Sequence, residues 1–361
     1  MPATRLLAAA LLWPALVAGQ DPEPAPPTFE QEVDRLFRGC ERPGSPGAVV
    51  LVAAGDEVLL EKAWGLADLE RSVPLSVDSV LDIGSTSKQF TAACVLLLQQ
   101  DEKLALDDPI RRHVDELPAC CEPVTLRHLM LHTSGVPDYI GLMTAGGADV
   151  EDRTTNDDAL DALAKVDALA FDPGTRWAYS NSNYLLLSLV VGRVSGRPLP
   201  AFAQERIFGP LGMASTHVHE QCTDLVPNRA LSYSKSARGG WRWNFSNWEQ
   251  TGDGAVFTTV GDLLKWSRNF AHGPVGGEAL RAAMARPGAL DGGEPLDYGC
   301  GLVFDELDGT PIVSHGGAWA AYRAELLRVP AEELTVVCLC NRDDLNPSQL
   351  ARRIARLARA R

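Results

Sequence analysis

The chain has 361 residues, of which 45% are hydrophobic and 22% are charged. This length predicts one or two domains with a sizeable core, and the composition is that of an ordinary globular protein. The formal net charge is −14, from 47 acidic and 33 basic side chains. Such a balance disfavours a nucleic-acid partner, which requires a basic surface, and gives no support for binding to an anionic membrane surface.

The N-terminal residues have the pattern of a secretory signal peptide. Arg5 supplies a positive start, residues 6–19 are apolar but too short to span a bilayer, and a polar, proline-rich stretch follows. We therefore expect residues 1–19 to be a signal peptide and residues 20–27 a linker, with the mature protein exported to the periplasm or secreted. An uncleaved anchor is the alternative, although its helix would have to continue through Pro14 into the charged stretch.

The next part of the chain contains helix and strand patterns in turn. Residues 28–40 place apolar side chains at helical spacing, which predicts a helix. Residues 47–54 and 58–64 are β-rich runs joined through Gly55-Asp56, a pattern typical of a hairpin. From Ser85 to Gln100, apolar residues recur again at helical spacing and predict a longer helix.

Residues 101–250 predict several short helices separated by proline and glycine breaks. The clearest element there is an apolar helix over 184–194, with Ser182 or Asn183 as its N-cap. Further along, Thr259 to Asp262 resembles a capping box that starts another helix.

The last third of the chain changes to strand patterns and ends in a predicted helix over 349–360. The four β-rich runs are 298–305, 311–314, 321–329 and 334–341. Strands at both chain ends with helices between them predict an α/β fold (an α+β sandwich): an antiparallel sheet flanked by N- and C-terminal helices, with an inserted helical region. We expect one domain over 28–361, its α/β part at about 28–100 and 251–361 and its helical part at about 101–250.

Three short motifs carry candidate chemistry, and the first is Ser85-Thr86-Ser87-Lys88 at the start of a predicted helix. A serine hydroxyl is a weak nucleophile until a nearby group takes its proton. Residues i and i+3 of a helix share a face, so Lys88 can reach the Ser85 oxygen, and the positive end of the helix dipole favours a developing alkoxide. Alone, the motif is equally well explained by an N-cap and an exposed lysine.

The same spacing recurs at Ser232-Tyr233-Ser234-Lys235. This copy lies in a polar, glycine-rich segment that no apolar helix follows, so we expect it to be a surface loop. The pattern by itself is therefore weak evidence for catalysis.

The second motif is Tyr179-Ser180-Asn181, which we expect on a loop leading into the apolar helix. A phenol can relay a proton when cations lie near it. The side-chain amide of Asn181 can hydrogen-bond a substrate carbonyl and Lys88 together. Alone, these residues are better explained as a turn that caps the helix.

The third motif is Ser314-His315-Gly316-Gly317, between two strand-like runs. Glycines at a strand edge let a substrate backbone approach closely. The main-chain amide of Ala318 would then pair with that of Ser85 to form an oxyanion hole. By itself, a histidine beside two glycines is more often part of a turn.

In this order and spacing, the three motifs resemble those of the serine β-lactamases and penicillin-binding proteins. The similarity is to the branch that contains class C β-lactamases, D,D-peptidases, D-aminopeptidases and related esterases. Three further segments are similar to stretches of this family: residues 125–135, 173–184 and 252–266. The resemblance extends from about Phe29 to the C-terminus, so that three weak motifs in the right order become one strong signal.

The resemblance implies that Ser85 is acylated by an amide or ester carbonyl, while Lys88 and Tyr179 relay its proton and later activate a water. The substrate-binding residues that it implies are Asn181, His315, Gly317 and Ala318. It implies neither a metal nor a cofactor. The pair His217 and His219 lacks a third ligand at a sensible spacing and is not expected to bind a metal.

The chain departs from the family pattern at His315, where many β-lactamases and peptidases carry a lysine. A histidine with its ordinary pKa of about 6.5 is mostly neutral at pH 7, whereas a lysine is charged and suits a substrate carboxylate. The charge would then come from Arg323, eight residues further on, unless that side chain is simply solvated. If His315 contacts an anion, activity on anionic substrates should rise below about pH 6.5.

The expected function is that of an exported serine hydrolase acting through an acyl-enzyme on Ser85, with a β-lactam, a D-amino-acid peptide or a small ester as substrate. Its partner is a small molecule or peptide, and the oligomeric state stays undetermined. A carboxylesterase without β-lactamase activity is one alternative, and a non-catalytic penicillin-binding-type protein is another. An α/β-hydrolase would need a Gly-x-Ser-x-Gly elbow, which the chain lacks.

Two sets of residues leave their roles open in the sequence. Four aromatic side chains either line an apolar cleft suited to esters or pack in the helical region: Tyr233, Trp241, Trp243 and Trp248. The eight cysteines form no paired Cys-x-x-Cys units, so a zinc ribbon is not expected, and one or two disulfides are compatible with export.

Overall fold

The structure is a computed structural model that describes residues 26–361. The predicted signal peptide (1–19) and most of the predicted linker (20–27) lie outside the described residues. Within the described part, no single helix is both long and apolar enough to cross a membrane. Only the pair Asn181–Ser195 and Leu199–Phe208 reaches that length and composition together, and it is bent by 74°.

The strands fall into one large sheet and three small ones. In chain order they are β1 (Ala48–Ala54), β2 (Glu57–Trp64), β3 (Leu66–Asp68), β4 (Val73–Pro74), β5 (Leu81–Asp82), β6 (His217–Val218), β7 (Tyr233–Lys235), β8 (Trp241–Trp243), β9 (Val256–Thr258), β10 (Tyr298–Gly299), β11 (Leu302–Leu307), β12 (Thr310–Trp319), β13 (Tyr322–Val329) and β14 (Leu334–Cys340). The large sheet is antiparallel with the order β10-β11-β12-β13-β14-β1-β2. Its strands therefore come from both ends of the chain.

The α-helices lie between and around these strands. In chain order they are α1 (Phe29–Phe37), α2 (Lys88–Gln100), α3 (Leu126–Leu131), α4 (Tyr139–Ala145), α5 (Asn156–Leu163), α6 (Asn181–Ser195), α7 (Leu199–Ala203), α8 (Val260–His272), α9 (Gly277–Met284) and α10 (Pro347–Arg359). Eight of these ten helices, α2 to α9, come from the part of the chain between β2 and β10, that is, between the two groups of strands in the large sheet.

The N- and C-terminal helices cover one face of the large sheet. Helix α1 begins at a capping box in which Thr28 and Gln31 exchange side-chain and backbone hydrogen bonds. Helix α10 packs on β13 and β14 and contacts α1, and the apolar side chains between them form a separate core cluster. Burial of this shared apolar face holds the two chain ends together.

The larger core lies on the opposite face, where α8 packs on β1 and β14 and α2 packs on α6, α7 and α9. Helix α2 is almost entirely buried, so its apolar side chains need no polar face. The antiparallel sheet, its flanking terminal helices and the helical region confirm the predicted fold class.

Some predicted boundaries are wrong, and two of them concern the site. The apolar helix begins at Asn181 with Ser180 as its N-cap, not at Ser182 or Asn183, so Asn181 belongs to the helix rather than to the loop before it. The segment His315 to Gly317 lies inside β12 rather than between two strands. The run 298–305 is split into β10 and β11 by Cys300 and Gly301, both with positive φ.

All eight cysteines lie in the described part of the chain, and each is a free thiol. The structure therefore contains none of the disulfides that export would permit. Cys94 is fully buried in α2, as its position in an apolar helical pattern predicts.

Candidate active site

Ser85 lies on a tight turn that joins β5 to α2. Gly84 has a φ of +49°, a left-handed conformation that suits glycine, and a 3₁₀ turn over Gly84–Ser87 leads directly into the α-helix. Lys88 follows one turn after Ser85, and its Nζ donates a hydrogen bond to Ser85 Oγ at 3.0 Å. The predicted reach from lysine to serine along one helix face is therefore present.

Lys88 is completely buried, in contrast to the exposed lysine of the alternative explanation. Its Nζ donates to three oxygens: Ser85 Oγ at 3.0 Å, Asn181 Oδ1 at 2.9 Å and the main-chain oxygen of Asp253 at 2.7 Å. All three donors of an ammonium are thus satisfied, although no carboxylate of the described residues lies within 4 Å of Nζ. This arrangement fixes the amine next to the serine.

Asn181 is held at both ends of its amide. Asp138 Oδ2 accepts hydrogen bonds from the main-chain nitrogen and from Nδ2 of Asn181, at 2.7 and 2.9 Å. Because Nδ2 is committed to Asp138, the carbonyl oxygen of the amide is directed at Lys88. No sequence pattern indicates Asp138, which caps helix α4 by accepting a hydrogen bond from the main-chain N–H of Ile140.

Tyr179 lies beside Lys88 at the mouth of the site. The centroid of its ring is 4.9 Å from Lys88 Nζ, and 38% of the residue is exposed. The ring packs at 4.4 Å against that of His132. Ser85, Lys88 and Tyr179, which are separated in sequence, are therefore brought together around one solvent-accessible point.

A chain of three side chains runs behind the site from His132 through Tyr298 to His315. The main-chain N–H of Ser180 donates to His132 Nδ1, so the proton of that ring is on Nε2, which lies 3.2 Å from Tyr298 Oη. Burial raises the pKa of Tyr298 well above its usual range, so its hydroxyl keeps a proton to donate. His315 Nε2 lies 3.2 Å from that hydroxyl and accepts it.

His315 therefore carries its own proton on Nδ1, which donates to the main-chain oxygen of Gly316 at 2.6 Å. Burial, together with the nearby positive charge of Lys88, lowers the pKa of His315 to about 4. A neutral His315 at pH 7, as the sequence predicts, agrees with this lowered pKa. The ordinary pKa on which the expected rise in activity below pH 6.5 depended is wrong, because the ring is buried.

The second half of β12 passes directly over the turn that carries Ser85. Only β13 pairs with residues 315–319, since β11 ends its pairing at Ser314. A Cβ on Gly317 would lie 1.8 Å from the main-chain oxygen of Ile83, so only glycine permits this approach. Thr86 Oγ1 adds a hydrogen bond to the main-chain oxygen of His315 at 3.0 Å.

The close approach places the Ala318 amide against the turn, because a Cβ on Gly84 would lie 2.6 Å from Ala318 N. Ser85 and Ala318 line the same two hollows on either side of the strand. The Ala318 amide therefore lies next to the turn that carries Ser85, where the sequence predicts that it pairs with the Ser85 amide to form an oxyanion hole.

The two hollows differ in shape. The closed cavity, of about 190 Å³, is lined next to Ser85 by side chains that include Asp82, Tyr139, Arg229, Trp248 and Asp253. The open groove on the other side of the strand is lined by Tyr179, His315, Arg323 and Asn346, among others. A substrate with its reactive carbonyl at Ser85 would extend one part into each.

Arg323 is the positively charged side chain among those that line the open groove. It is half-buried, and its guanidinium donates to the main-chain oxygens of Ala320 and Tyr322 at 3.1 and 2.7 Å. With His315 neutral, a carboxylate in the groove would find its positive charge at Arg323.

The four aromatic residues and the two histidines that the sequence singles out lie partly at the site and partly away from it. Of the four aromatic residues in question, Trp248 lines the closed cavity, whereas Tyr233, Trp241 and Trp243 do not. His217 Nε2 and His219 Nδ1 are 3.3 Å apart, and the described residues contain no group of three side chains that could hold a metal ion. Both histidines instead pack against Phe257.

The second Ser-x-x-Lys segment is not the predicted surface loop. Ser232 is 1% exposed and Tyr233–Lys235 forms strand β7, which pairs with β8. The sequence also missed residues that shape the real site, above all Asp138, His132 and Tyr298. His132 lies in a stretch that the motif comparison had already marked, but no sequence pattern indicates Tyr298.

Comparison with known proteins places the chain among related sequences. The family model described as Beta-lactamase matches residues 33–361. Penicillin-binding protein 4* of Bacillus subtilis is 30% identical over 331 residues, which is 87% of this chain and 72% of that protein. The D-aminopeptidase of Gluconobacter oxydans is 30% identical over 303 residues, covering 83% of this chain. The chain spans only 56% of that enzyme's length.

Solved structures show the same fold. The octameric penicillin-binding protein homologue from Pyrococcus abyssi superposes with a TM-score of 0.79 at 24% identity, covering 92% of this chain and 77% of that one. The D-amino acid amidase of Ochrobactrum anthropi, complexed with L-phenylalanine amide, gives a TM-score of 0.75 at 21% identity, with 92% and 99% covered.

Proposed function

The chain belongs to the Beta-lactamase family and is a serine hydrolase, and we propose that it is an exported enzyme that hydrolyses amides and peptides of D-amino acids through an acyl-enzyme on Ser85. The resemblance stated from the three motifs is confirmed by the family match. The substrate class, the roles of the individual residues and export are the proposed part.

The observation that carries the proposal is the 3.0 Å hydrogen bond between Ser85 Oγ and the buried Lys88. A serine needs a partner that removes its proton, and here the amine is fixed at the required distance by two further acceptors. The same turn faces the Ala318 amide, where negative charge would develop on a substrate carbonyl.

In the acylation step Lys88 acts in its amine form: its two protons are donated to Asn181 Oδ1 and the main-chain oxygen of Asp253, and its lone pair accepts the proton of Ser85 Oγ as that oxygen attacks the carbonyl carbon of the substrate. The oxygen of the tetrahedral intermediate accepts hydrogen bonds from the main-chain amides of Ser85 and Ala318. As the carbon–nitrogen bond breaks, Tyr179 gives its proton to the leaving amine and regains one from Lys88. The acyl group is now an ester of Ser85, and Lys88 is neutral again.

Deacylation repeats these transfers with water in place of serine. Tyr179 and Lys88 take a proton from the water that attacks the ester carbonyl, and the proton returns to Ser85 Oγ as the acid leaves. Asn181, whose orientation Asp138 sets, holds Lys88 in place throughout, and the second N–H of its Nδ2 remains available to donate to the acyl chain.

Amides of D-amino acids are the preferred substrate class for two reasons. The relatives of about 30% identity include D-aminopeptidases. In addition, the third motif here contains a neutral histidine in place of the charged lysine that suits a carboxylate next to the scissile bond. An amide or short peptide with a free amino group does not require that charge.

The test is intact-protein mass spectrometry after incubation with a fluorophosphonate and, separately, a fluorescent penicillin, on the wild type and Ser85→Ala. It is combined with ammonia release from D- and L-alaninamide. We expect Ser85-dependent labelling by the fluorophosphonate and faster hydrolysis of the D-amide. Labelling without amide hydrolysis would move the assignment to a carboxylesterase, and no labelling at all would favour a non-catalytic binding protein. Labelling by penicillin would add β-lactams to the substrates.

Export is tested by expressing the full chain with its own N-terminus in a bacterial host. We expect the activity in the periplasm or medium, with a new N-terminus after residue 18 or 19. Protein retained in the cytoplasm with Met1 intact would contradict the signal-peptide assignment.

A further inference from the structure

The closed cavity contains polar groups that the catalytic mechanism does not use. Six buried side-chain nitrogen and oxygen atoms of the described residues lack a hydrogen-bond partner, and three of them belong to the cavity wall: His219 Nε2, Arg229 Nε and Asp253 Oδ1. Buried polar atoms are nearly always paired, so this concentration beside the nucleophile indicates a place where a ligand completes the hydrogen bonds.

Arg229 supplies the positive charge of the closed cavity. Its main chain is fixed beside Val80, just before β5, by hydrogen bonds from the residues on either side. Its guanidinium lies over the ring of Phe257, with the two centres 4.9 Å apart, and no carboxylate of the described residues is within 4 Å of it. A planar guanidinium that is positioned without a carboxylate partner is suited to binding a carboxylate through two parallel hydrogen bonds.

Asp253 supplies a negative charge at the end nearest the nucleophile. The main-chain oxygen of Asp253 accepts a hydrogen bond from Lys88 Nζ at 2.7 Å, so Asp253 directly adjoins the catalytic amine. Its side chain is 7% exposed; Oδ2 accepts from Tyr139 Oη at 3.1 Å, and Oδ1 has no partner. Burial raises the pKa of Asp253, with Lys88 acting against the rise, so a cationic ligand would favour its ionised form.

Asp82 is the other carboxyl group in the cavity lining, and it forms no direct pair with Arg229 or with Asp253. Its Oδ1 accepts from the main-chain nitrogen of Gly84 at 2.8 Å. Burial raises the pKa of Asp82 to about 6, although the hydrogen bond from Gly84 and the charge of Arg229 oppose the rise. The charge of Arg229 is therefore partly compensated by Asp82, and its guanidinium also contacts the Tyr322 hydroxyl, but its Nε has no hydrogen-bond partner among the described residues.

We propose that the closed cavity binds an aminoacyl group with a free α-ammonium and a side-chain carboxylate, an aspartyl or glutamyl group, with the carboxylate on Arg229 and the ammonium on Asp253. This inference rests on the proposed function and names the substrate class of the same site. Asp253 adjoins Lys88 through its main-chain oxygen, which suits an α-ammonium one bond from the carbon that bears the scissile carbonyl, and the side-chain carboxylate of such a group, which is further away, would reach Arg229.

Groups with a single charge fit the cavity less well. A neutral acyl group leaves Arg229 and Asp253 both without partners, and a purely anionic one brings a second negative charge towards Asp253. A cavity of about 190 Å³, with Trp248 and Tyr139 in its lining, also limits the length of the side chain to a few atoms, which aspartyl and glutamyl groups satisfy.

The experiment compares the α-p-nitroanilides of D-aspartate and D-asparagine, which have nearly the same shape and differ in charge, with D-alanine as a third substrate. We expect kcat/KM of the wild type to be about 30-fold higher for D-aspartate than for D-asparagine. Arg229→Gln should lose about 30-fold on D-aspartate and less than about threefold on D-asparagine, and Arg229→Lys should recover part of the loss.

The matched control is Arg242→Gln. Arg242 is an exposed residue of β8 that does not line the cavity, so this substitution should leave kcat/KM unchanged for both substrates. Thermal unfolding and the rate of fluorophosphonate labelling of Ser85 show whether each variant is folded and active. Equal rates on the two wild-type substrates, or an equal loss on both in Arg229→Gln, would overturn the inference while leaving the proposed function intact. Labelling of Ser85 without Ser85-dependent cleavage of any anilide would overturn both.

Discussion

The chain contains the pattern Ser-x-x-Lys twice, and the structure gives the two copies opposite surroundings. At Ser85 the pattern lies on a helical turn, so Lys88 folds back onto the serine at 3.0 Å. At Ser232 the pattern leads into strand β7, which begins at Tyr233, and residues three apart along an extended chain point to opposite faces. Ser232 and Lys235 therefore cannot meet.

The partners of the two serines complete the difference. Ser232 Oγ donates a hydrogen bond to the main-chain oxygen of Asn244 at 2.6 Å and accepts one from the main-chain nitrogen of Ala321 at 3.3 Å. Both bonds of its hydroxyl are therefore made with the backbone. Lys235 is exposed and pairs with Asp344 at 2.8 Å. A serine of this pattern therefore becomes a nucleophile because a helix follows it and because the lysine is buried. The Ser-x-x-Lys pattern itself specifies neither condition.

The largest effect should come from removing the two serines separately. Ser85→Ala should lower kcat/KM by about 10⁴-fold or more, because no other group forms the acyl-enzyme. Ser232→Ala should leave kcat/KM within about twofold, although loss of its buried hydrogen bonds should cost about 1–2 kcal/mol of unfolding free energy. Steady-state hydrolysis and urea denaturation measure the two effects. Equal losses of activity in both variants would remove the distinction between the segments.

The two lysines give the next comparison. Lys88→Met should lower kcat by about 10³-fold, since the proton of Ser85 then has no acceptor at 3.0 Å. Lys235→Met removes only an exposed ion pair with Asp344 and should leave both activity and stability nearly unchanged. Single-turnover labelling with a fluorophosphonate isolates the first step. If Lys88→Met were labelled as fast as the wild type, another base would have to act on Ser85.

How much of this could be predicted depends on whether a feature is local. Helix α2, the β1–β2 hairpin and α10 follow from hydrophobic periodicity and turn residues, and all three are present. The sequence could also propose Ser85 and Lys88 as a pair, since one helical turn joins them. It could not predict Tyr298, whose hydroxyl links His132 and His315 across 166 and 17 residues.

Two errors have a clear physical origin. Asn181 was expected in a loop because polar residues favour caps, yet its side chain and main chain bond to Asp138, which allows the helix to begin one residue after Ser180. The glycines at 316 and 317 suggested a turn, but there they serve an extended strand that passes over Ile83 at a distance no side chain allows.

That close passage predicts a smaller and more general effect. In Gly317→Ala, the new methyl would lie 1.8 Å from Ile83 O, so β12 must move away from the Ser85 turn. We expect a loss of about 2 kcal/mol in unfolding free energy and about tenfold in kcat/KM, because Ala318 moves with the strand. Gly39→Ala, which meets no atom within 4 Å, is the matched control. Unchanged activity in Gly317→Ala would exclude the strand from the oxyanion hole.

The last prediction concerns His315, the buried histidine close to the first segment, and its effect on stability appears only at acidic pH. The folded chain holds His315 at a pKa of about 4, whereas the unfolded chain has the ordinary value of about 6.5. Between these values the unfolded state binds a proton at this position that the folded state does not, so stability is lost as the pH falls from 6.5 towards 4. The full contribution is present above pH 6.5 and is on the order of 3 kcal/mol.

His315→Gln removes this proton while its amide oxygen can still accept from Tyr298. Urea denaturation of both proteins between pH 4 and 8 should therefore show a shallower loss of stability at low pH in the variant, and other titrating groups cancel in the difference. His272→Gln, at a side chain that is 83% exposed, should follow the wild type. If the difference in unfolding free energy between the wild type and His315→Gln stayed constant from pH 4 to 8, His315 would not be the neutral, buried acceptor that the Tyr298 hydroxyl requires.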